Sequence, residues 1–283
     1  MVINNLETFV SLITVNKRIK LKLKLYQIDA FTDTVFKGNY AGVIILEEWL
    51  SEELMQSIST ENNLSETAFA KKSETNSYEI RWFSPMTEIA FCGHATLATA
   101  FVLFSNDKSV SELNFWAKAV GDLKVRKSDS GLIEMTFPNR KPKQLNSIPN
   151  ELLNGLSIAP QEVLLNEQAY FVIYTNENDV YEIQIDFDEI KKLAPYDVVV
   201  TSSSNKYDFI SRYFWPANGG DEDPVTGSIH AGLAPFWAER LGKKSLSAYQ
   251  ASSRGGNLKC KVTDDEVIIS GNAVKYFEGF IEV

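Results

Sequence analysis

The 283-residue chain has only two cysteines, Cys92 and Cys260, and only two histidines, His94 and His230. Two cysteines cannot form the disulfide framework of a small secreted domain, so the sequence fits a reducing cytoplasm. Neither a His-Glu-x-x-His nor a Cys-x-x-Cys spacing occurs, and we expect no metal site. The sequence also lacks a Gly-x-Gly-x-x-Gly motif, a phosphate loop and a Gly-x-Ser-x-Gly elbow. These absences remove the main support for nicotinamide, nucleotide and serine-hydrolase chemistry, so no cofactor is expected.

Positive charge and long apolar runs are scarce as well. The formal net charge is -9, whereas binding to nucleic acid or to an anionic membrane surface requires clustered Lys and Arg. No apolar run reaches the ~20 residues that span a bilayer. The hydrophobic share of 44% and the charged share of 23% are typical of globular proteins and argue against disorder or a coiled coil. We therefore expect no nucleic-acid or membrane partner.

The length predicts two compact domains, preceded by an N-terminal extension. Residues 6–15 are weakly apolar, but a basic cluster at residues 17–24 follows them, which is opposite to the order in a signal peptide. We interpret residues 1–20 as an extension outside the fold; the alternative is a short first helix. Residues 19–25 alternate apolar side chains with lysines, which predicts a strand with one solvated face.

Short strands and few helices are predicted after this point. A Ser-Glu-Glu sequence at residues 51–53 is typical of a helix start, and this helix is predicted to end near residue 62. Apolar residues that alternate around a Ser-Asp-Ser-Gly turn predict a hairpin over residues 122–137, and three prolines then mark a linker. The other predicted strands are residues 41–46, 67–71, 78–83, 169–174, 197–201, 209–215, 259–262, 267–269 and 276–283.

Two segments with few or no charged residues predict buried helices. Residues 95–104 are apolar on nearly every side, which is typical of a helix enclosed by strands. Residues 228–241 form a second helix rich in small residues, in which Pro235 should produce a kink or a bend. Both segments follow an X-Gly-polar sequence. Together with the order of the strands, this similarity indicates that the second half repeats the plan of the first.

The two glycine-led helix starts, near Gly93 and Gly227, are candidate anion sites. The first N–H groups of a helix have no partner within it, and the helix dipole adds partial positive charge. Two such starts facing each other could hold one carboxylate substrate. The alternative is that the glycines only cap helices or form tight turns.

Two acidic residues beside these segments are candidates for proton transfer. Glu66 stands between the first helix and an apolar strand, where burial would raise its pKa toward neutrality and let it take and return a proton. Asp223 is the last of three consecutive acids and could face the same cleft. The alternatives are a solvated glutamate at a strand edge and a charge that complements a helix dipole.

The two histidines have different expected roles. His94 lies at a predicted helix N-terminus, which disfavours its charged form and suits a neutral hydrogen-bonding side chain. His230 is expected in the core. Because the two lie in different segments, a histidine-rich metal centre is not expected.

Five separated motifs resemble the PhzF family of phenazine-biosynthesis-like proteins. They occur in the order YQIDAFTDTVFKGN, NLSETAF, RWFSPMTEIAFCGHATLATA, DEDPVTGSIHAGLAPFW and ASSRGGNL. The resemblance extends from Tyr26 to the C-terminus, and five motifs in this order make it specific.

The resemblance implies an α/β fold of the diaminopimelate epimerase type. Such a fold has two pseudo-symmetric domains, each with a curved mixed sheet around a central helix, and the active site lies between them. Residues 21–137 plus 274–283 are assigned to the first domain and residues 138–273 to the second, since the final strand of such folds returns to the first domain. The resemblance also implies a homodimer.

The activity implied by the resemblance is that of a cofactor-independent isomerase that shifts a proton on a small carboxylated substrate. The glutamate of the family's NLSET motif matches Glu66, and the family's further active-site residues match His94, Asp223 and Ser228. Substrate-binding groups are expected at the two helix starts, namely at Cys92, Gly93, Ala95, Thr226, Gly227 and Ile229.

Two departures from related proteins bear on the activity. Epimerases and racemases of this fold use two cysteines, and here Cys92 fills one position but Thr226 fills the other. A hydroxyl is too weak an acid to replace a thiol, so an epimerase that uses Cys92 is the second hypothesis, and a noncatalytic protein-interaction member of the family is the third. Tyr40 follows Asn39 where the family often has proline, and its bulk is expected to alter the cleft edge.

Overall fold

The structure, a computed structural model, describes residues 21–283, so the expected extension at residues 1–20 lies outside the described residues. These residues form a mixed α/β fold with one large sheet. The strands of the first half are β1 (Lys22–Ala30), β2 (Asn39–Leu46), β3 (Glu66–Glu74), β4 (Ser77–Phe83), β5 (Glu88–Ile89), β6 (Glu112–Ala117), β7 (Gly121–Lys127), β8 (Ile133–Pro138) and β9 (Lys143–Gln144). Those of the second half are β10 (Glu162–Leu165), β11 (Ala169–Ile173), β12 (Asp197–Ser203), β13 (Phe209–Trp215), β14 (Gly220–Asp223), β15 (Ser245–Gln250), β16 (Gly256–Val262), β17 (Glu266–Gly271) and β18 (Ala273–Glu282).

Few helices accompany this sheet. The α-helices are α1 (Glu52–Asn62), α2 (Gly93–Asn106), α3 (Asn150–Asn154), α4 (Glu177–Glu182), α5 (Phe187–Ile190) and α6 (His230–Leu241), and a 3-10 turn covers Lys191–Leu193. The helix predicted after Ser51 is confirmed, because the Ser51 hydroxyl accepts a hydrogen bond of 3.2 Å from the N–H of Leu54 as an N-cap. The short helices α3, α4 and α5 were not predicted, since each is too short to show an amphipathic period.

The two halves of the chain share one connection pattern. β4 pairs with β5 and then, after α2, in parallel with β6. β13 likewise pairs with β14 and then, after α6, in parallel with β15. The repeat predicted from the two glycine-led helices is therefore present in the strand order as well.

One continuous sheet joins the halves. β8 of the first half pairs antiparallel with β17 of the second, from Ile133 opposite Gly271 to Pro138 opposite Glu266. The last strand, β18, pairs antiparallel with β1 along its whole length. The assignment of residues 274–283 to the first domain and the division into two domains stay predictions.

The helix α2 lies in the largest apolar core, as its uncharged sequence predicts. Most of its side chains are buried from Gly93 to Phe104. The helix α6 is buried over its first eight residues and continues through Pro235. Proline cannot donate to the carbonyl four residues before it, and the N–H of Arg140 donates to that carbonyl, Ala231, at 3.0 Å. This contact satisfies the carbonyl that Pro235 leaves free.

Candidate active site

A cavity of about 170 Å³ lies where the start of α2 faces the turn that precedes α6. It is smaller than the ~300–1,000 Å³ typical of sites for drug-sized ligands, so it fits a small molecule. Among its lining residues are Glu66, Cys92, Gly93, His94, Asp223, Thr226, Gly227 and Ser228. A larger cavity of about 690 Å³, beside Trp49 and Trp116, contains none of the predicted site residues.

Glu66 is the first residue of β3 and is only 4% exposed. The chain reaches it through Asn63, whose left-handed backbone (φ 47°) ends α1. β3 then pairs in parallel with β2, with Glu66 opposite Ala41. The hydroxyl of Ser65 donates to Glu66 Oε2 at 2.8 Å, and Nε2 of His94 lies 2.9 Å from the same oxygen. The carboxylate is therefore fixed at the cavity wall.

Two expectations about charge at this pair are wrong. Burial alone would raise the pKa of Glu66, but the charge and hydrogen bond of His94 outweigh it, and the pKa of Glu66 is lowered. Burial alone would lower the pKa of His94, but its interactions with Cys92 and with the Glu66 carboxylate outweigh burial, and the pKa of His94 is raised well above 6.5. An opposite charge at hydrogen-bond distance exceeds the field of a helix end. Both shifts favour an imidazolium beside a carboxylate.

Cys92 lies beside this ion pair as a protonated thiol. Burial first, and then the charge of Glu66, raises the pKa of Cys92 to about 11. Glu66, Cys92 and His94 are the described residues whose donor atoms come within 4.8 Å of one another. However, the sulfur lies 3.4 Å from Nδ1 and 3.7 Å from Nε2 of His94. The sulfur therefore lies beside the imidazole ring. A single metal ion bound at about 2.1 Å from Nε2 and 2.3 Å from sulfur would instead require the sulfur to lie outside the ring, on the far side of Nε2.

Asp223 faces Glu66 and His94 across the cavity, at the end of β14. Burial raises its pKa, although the charge of His94 opposes the shift. The hydroxyl of Thr226 donates to Oδ2 of Asp223, and Gln250 donates to its backbone carbonyl at 2.8 Å. The other two acids of the run point elsewhere, because Glu222 pairs with Arg212 and residue 221 is exposed.

Asn39 connects the two walls and was missed by the sequence analysis as a site residue. It is fully buried, and its Nδ2 donates to Asp223 Oδ1 at 2.7 Å and to the carbonyl of Val225 at 3.0 Å. The same atom lies 3.2 Å from Nδ1 of His94. Because a backbone carbonyl can only accept, the Val225 contact identifies this amide atom as nitrogen. The only signal in the sequence was its place after Gly38, at the start of β2.

A second polar group at the far end of the cavity was also missed. Gln168 Nε2 donates to the hydroxyl of Ser228 at 3.0 Å and to that of Tyr213 at 3.0 Å. The Tyr213 hydroxyl in turn donates to Asp197 Oδ2. Gln168, Asp197 and Tyr213 lie in or beside strands β11, β12 and β13, and no sequence motif marks them.

The remaining predicted residues divide between the cavity and the core. Ala95 and Ile229 are fully buried and do not line the cavity. Their expected role in substrate binding stays a prediction, and it would involve only their backbone groups. His230 is a core residue, as expected; burial lowers its pKa to about 4, and its Nδ1 contacts the carbonyl of Thr226 at 2.9 Å. Tyr40 does not line the cavity, and Arg254 lies 4.8 Å above its ring.

Solved structures define the class of the fold. The chain superposes on a PhzF-family protein from Enterococcus faecalis with a TM-score of 0.87 and 44% identity, covering 93% of this chain and 100% of that chain. A hydroxyproline epimerase from Agrobacterium vitis is similar in fold alone, with a TM-score of 0.58 and 10% identity over 92% of this chain and 91% of that chain. The protein therefore has the epimerase-like α/β fold that the motifs imply.

The sequence comparisons define the family. The model of the phenazine biosynthesis-like protein family matches residues 28–279. An uncharacterized isomerase of Pseudomonas aeruginosa is 43% identical over 263 residues, which cover 93% of this chain and 100% of the relative. The chain belongs to the phenazine biosynthesis-like (PhzF) family. It is an enzyme of the isomerase class.

None of the helices within residues 21–283 is long and apolar enough to cross a bilayer.

Proposed function

We propose that the protein is a cofactor-independent isomerase in which Glu66 moves a proton between two positions of a small carboxylated substrate. The observation that carries the proposal is the buried contact of 2.9 Å between Glu66 and His94 at the wall of a small cavity. The low pKa of Glu66 leaves it as a carboxylate, which is the form that abstracts a proton.

The return of the proton is favoured by the same surroundings. Once Glu66 has taken a proton, the attraction of His94 is lost and Glu66 remains buried, so the acid can give the proton back at a neighbouring carbon. Positioned acid-base catalysis of this kind typically contributes ~10²- to 10⁴-fold to a rate. Substrate charge that develops near His94 is stabilised by the imidazolium.

The substrate carboxylate is expected at the two helix starts. Gly93 opens α2 and Gly227 lies in the turn before α6, which begins at His230 and not at the predicted Ser228. Both glycines line the cavity, and free N–H groups at a helix start favour an anion. Asp223 stands opposite and is held by Asn39 and Thr226, which places it to orient the substrate. The cavity size limits the substrate to a small molecule.

The epimerase hypothesis that uses Cys92 has less support. A thiol with a pKa near 11 is not a base at neutral pH. Its counterpart Thr226 donates to Asp223, and a hydroxyl does not replace a second thiol. The noncatalytic hypothesis requires binding to a protein partner without proton exchange, and the test below separates it.

The test is solvent deuterium exchange. Small carboxylates that raise the unfolding temperature are incubated in D₂O with the wild type, with Glu66→Gln and with the control Glu74→Gln, which changes an exposed residue of the same strand. We expect deuterium in the substrate with the wild type and the control, and a loss of at least ~100-fold with Glu66→Gln. Unchanged exchange in Glu66→Gln overturns the assignment.

We further propose that the enzyme acts in a biosynthetic process as a cytoplasmic homodimer. This proposal rests on the family resemblance and on the two free, buried cysteines, which fit a reducing compartment. Light scattering of the purified chain tests the dimer, and a mass of 31.8 kDa at all concentrations contradicts it.

A further inference from the structure

Ser228 stands at the end of a hydrogen-bonded chain that continues away from the reacting groups. Asp197 accepts from the Tyr213 hydroxyl. Tyr213 accepts from Gln168 at 3.0 Å, and Gln168 also donates to Ser228 at 3.0 Å. All four residues line the cavity.

The direction of each hydrogen bond follows from counting protons. A phenol has one proton, and Tyr213 gives it to the carboxylate of Asp197, which also accepts from Asn218 at 2.8 Å. Tyr213 can therefore only accept from Gln168, so the amide atom that faces it is the NH₂ group. This group has two protons, and the second one is directed at Ser228.

The hydroxyl of Ser228 is consequently left with its own proton free. Its oxygen accepts from Gln168, and the hydroxyl has no other hydrogen-bond partner among the contacts described for residues 21–283, since the N–H of Ala231 donates to the backbone carbonyl of Ser228. The free proton belongs to a side chain that lines the cavity beside Gly227. A hydroxyl in this state is a hydrogen-bond donor, and an anion is the partner that gains most from it.

The backbone holds Gln168 firmly in this orientation. The side chain of Asn166 accepts from the N–H groups of Gln168 at 2.8 Å and Ala169 at 3.0 Å. The carbonyl of Gln168 accepts from the N–H of Asp197 at 3.1 Å. The backbone of Gln168 is therefore held in place at the start of β11, next to β12.

We propose that Gln168 is a positioning residue that makes Ser228 a dedicated hydrogen-bond donor to the carboxylate of the substrate. Gln168 acts through Ser228 and does not itself contact the reacting atoms. The inference rests on the proposed function in one respect, the carboxylate that Ser228 meets, and does not require proton transfer by Glu66.

The test compares two ligands of equal shape and different charge. Binding of benzoate and of neutral benzamide is measured by calorimetry for the wild type, Ser228→Ala, Gln168→Met and the double variant. Methionine keeps the length of glutamine and removes its donors. Gln184→Met, at an exposed glutamine, is the matched control.

We expect the wild type to prefer benzoate and Ser228→Ala to weaken benzoate binding about tenfold or more, since a hydrogen bond to a charged group is lost. Gln168→Met should weaken benzoate binding severalfold and leave benzamide binding unchanged, and it should have no effect when Ser228 is already alanine. Gln184→Met should change neither ligand.

Three results overturn the proposal. One is equal weakening of benzoate and benzamide by Gln168→Met, which indicates a merely structural role. Another is an equal loss of benzoate binding on Gln168→Met whether residue 228 is serine or alanine. The third is a wild type without preference for benzoate. Because benzoate undergoes no reaction, these results are independent of deuterium exchange, which tests Glu66.

Discussion

The carboxylate of Glu66 lies 2.9 Å from Nε2 of His94, and both side chains are about 95% buried, with side-chain exposures of 5% and 6%. Two charges removed from water in this way are stable only while they remain paired. The pair therefore connects the chemistry of the cavity to the stability of the fold, and both vary with pH.

The first prediction concerns the pH dependence of stability. The pKa of Glu66 is lowered from 4.5. Its contribution to the stability of the fold is therefore present above pH 4.5 and is lost as the pH falls through its folded pKa. The pKa of His94 is raised from 6.5, so its contribution is complete below that value and is lost as the pH rises through its folded pKa. Both contributions are complete between pH 4.5 and 6.5.

Thermal unfolding of the wild type and of His94→Asn, measured across this pH range and above it, gives the stability difference between the two proteins. We expect the stability difference to be largest between pH 4.5 and 6.5 and to decrease at higher pH. A difference that keeps growing as the pH rises above 6.5 would contradict the charged pair. Gln184→Met, which changes an exposed side chain, is the control.

The second prediction concerns Asn39 and Asp223, which are 2.7 Å apart. Asn39→Asp places two carboxylates at this distance, and one of them must then take a proton or remain charged at high cost. We expect a large loss of stability at pH 8 that becomes smaller toward pH 5. Asn39→Ala, which leaves partners unsatisfied without adding charge, should cost about 1–3 kcal/mol at either pH. Equal pH dependence of the two variants would refute the contact.

The third prediction concerns the glycine before Asn39. Gly38 has a φ of +65°, and a Cβ there would lie 2.1 Å from the carbonyl oxygen of Ala30. Gly121 has a φ of +77° with nothing within 4 Å of its Cβ position. We expect Gly121→Ala to cost about 1–2 kcal/mol from backbone strain alone, and Gly38→Ala to cost clearly more. Chemical denaturation of both variants measures this, and equal costs would show that the close approach is absent.

The fourth prediction separates Glu66 from Cys92. Because Cys92 is a protonated thiol, Cys92→Ser should keep the rate of proton exchange within about tenfold, whereas loss of a true general base costs at least ~100-fold. Cys260→Ser, at the other buried cysteine, is the control for the stability effect of a buried hydroxyl. Exchange that falls as far in Cys92→Ser as in Glu66→Gln would favour the epimerase hypothesis.

Local sequence patterns predicted the elements of the fold well and the contacts of the site in part. The cap at Ser51 and the uncharged helix α2 depend on neighbouring residues, which a sequence displays directly. Asn39 and Gln168 reach their partners only through strand pairing between distant segments. The charge of His94 was predicted wrongly for the same reason, since its helix position is local and Glu66 is not.

The most direct test of the central claim follows a label from substrate to product. A substrate that carries deuterium at the reacting carbon is converted in ordinary water, and the new C–H position of the product is examined by NMR. If Glu66, which is only 4% exposed, takes and returns one hydrogen, part of the deuterium should appear at the new position. A product with only solvent hydrogen there, formed at an undiminished rate by Glu66→Gln, would contradict the account.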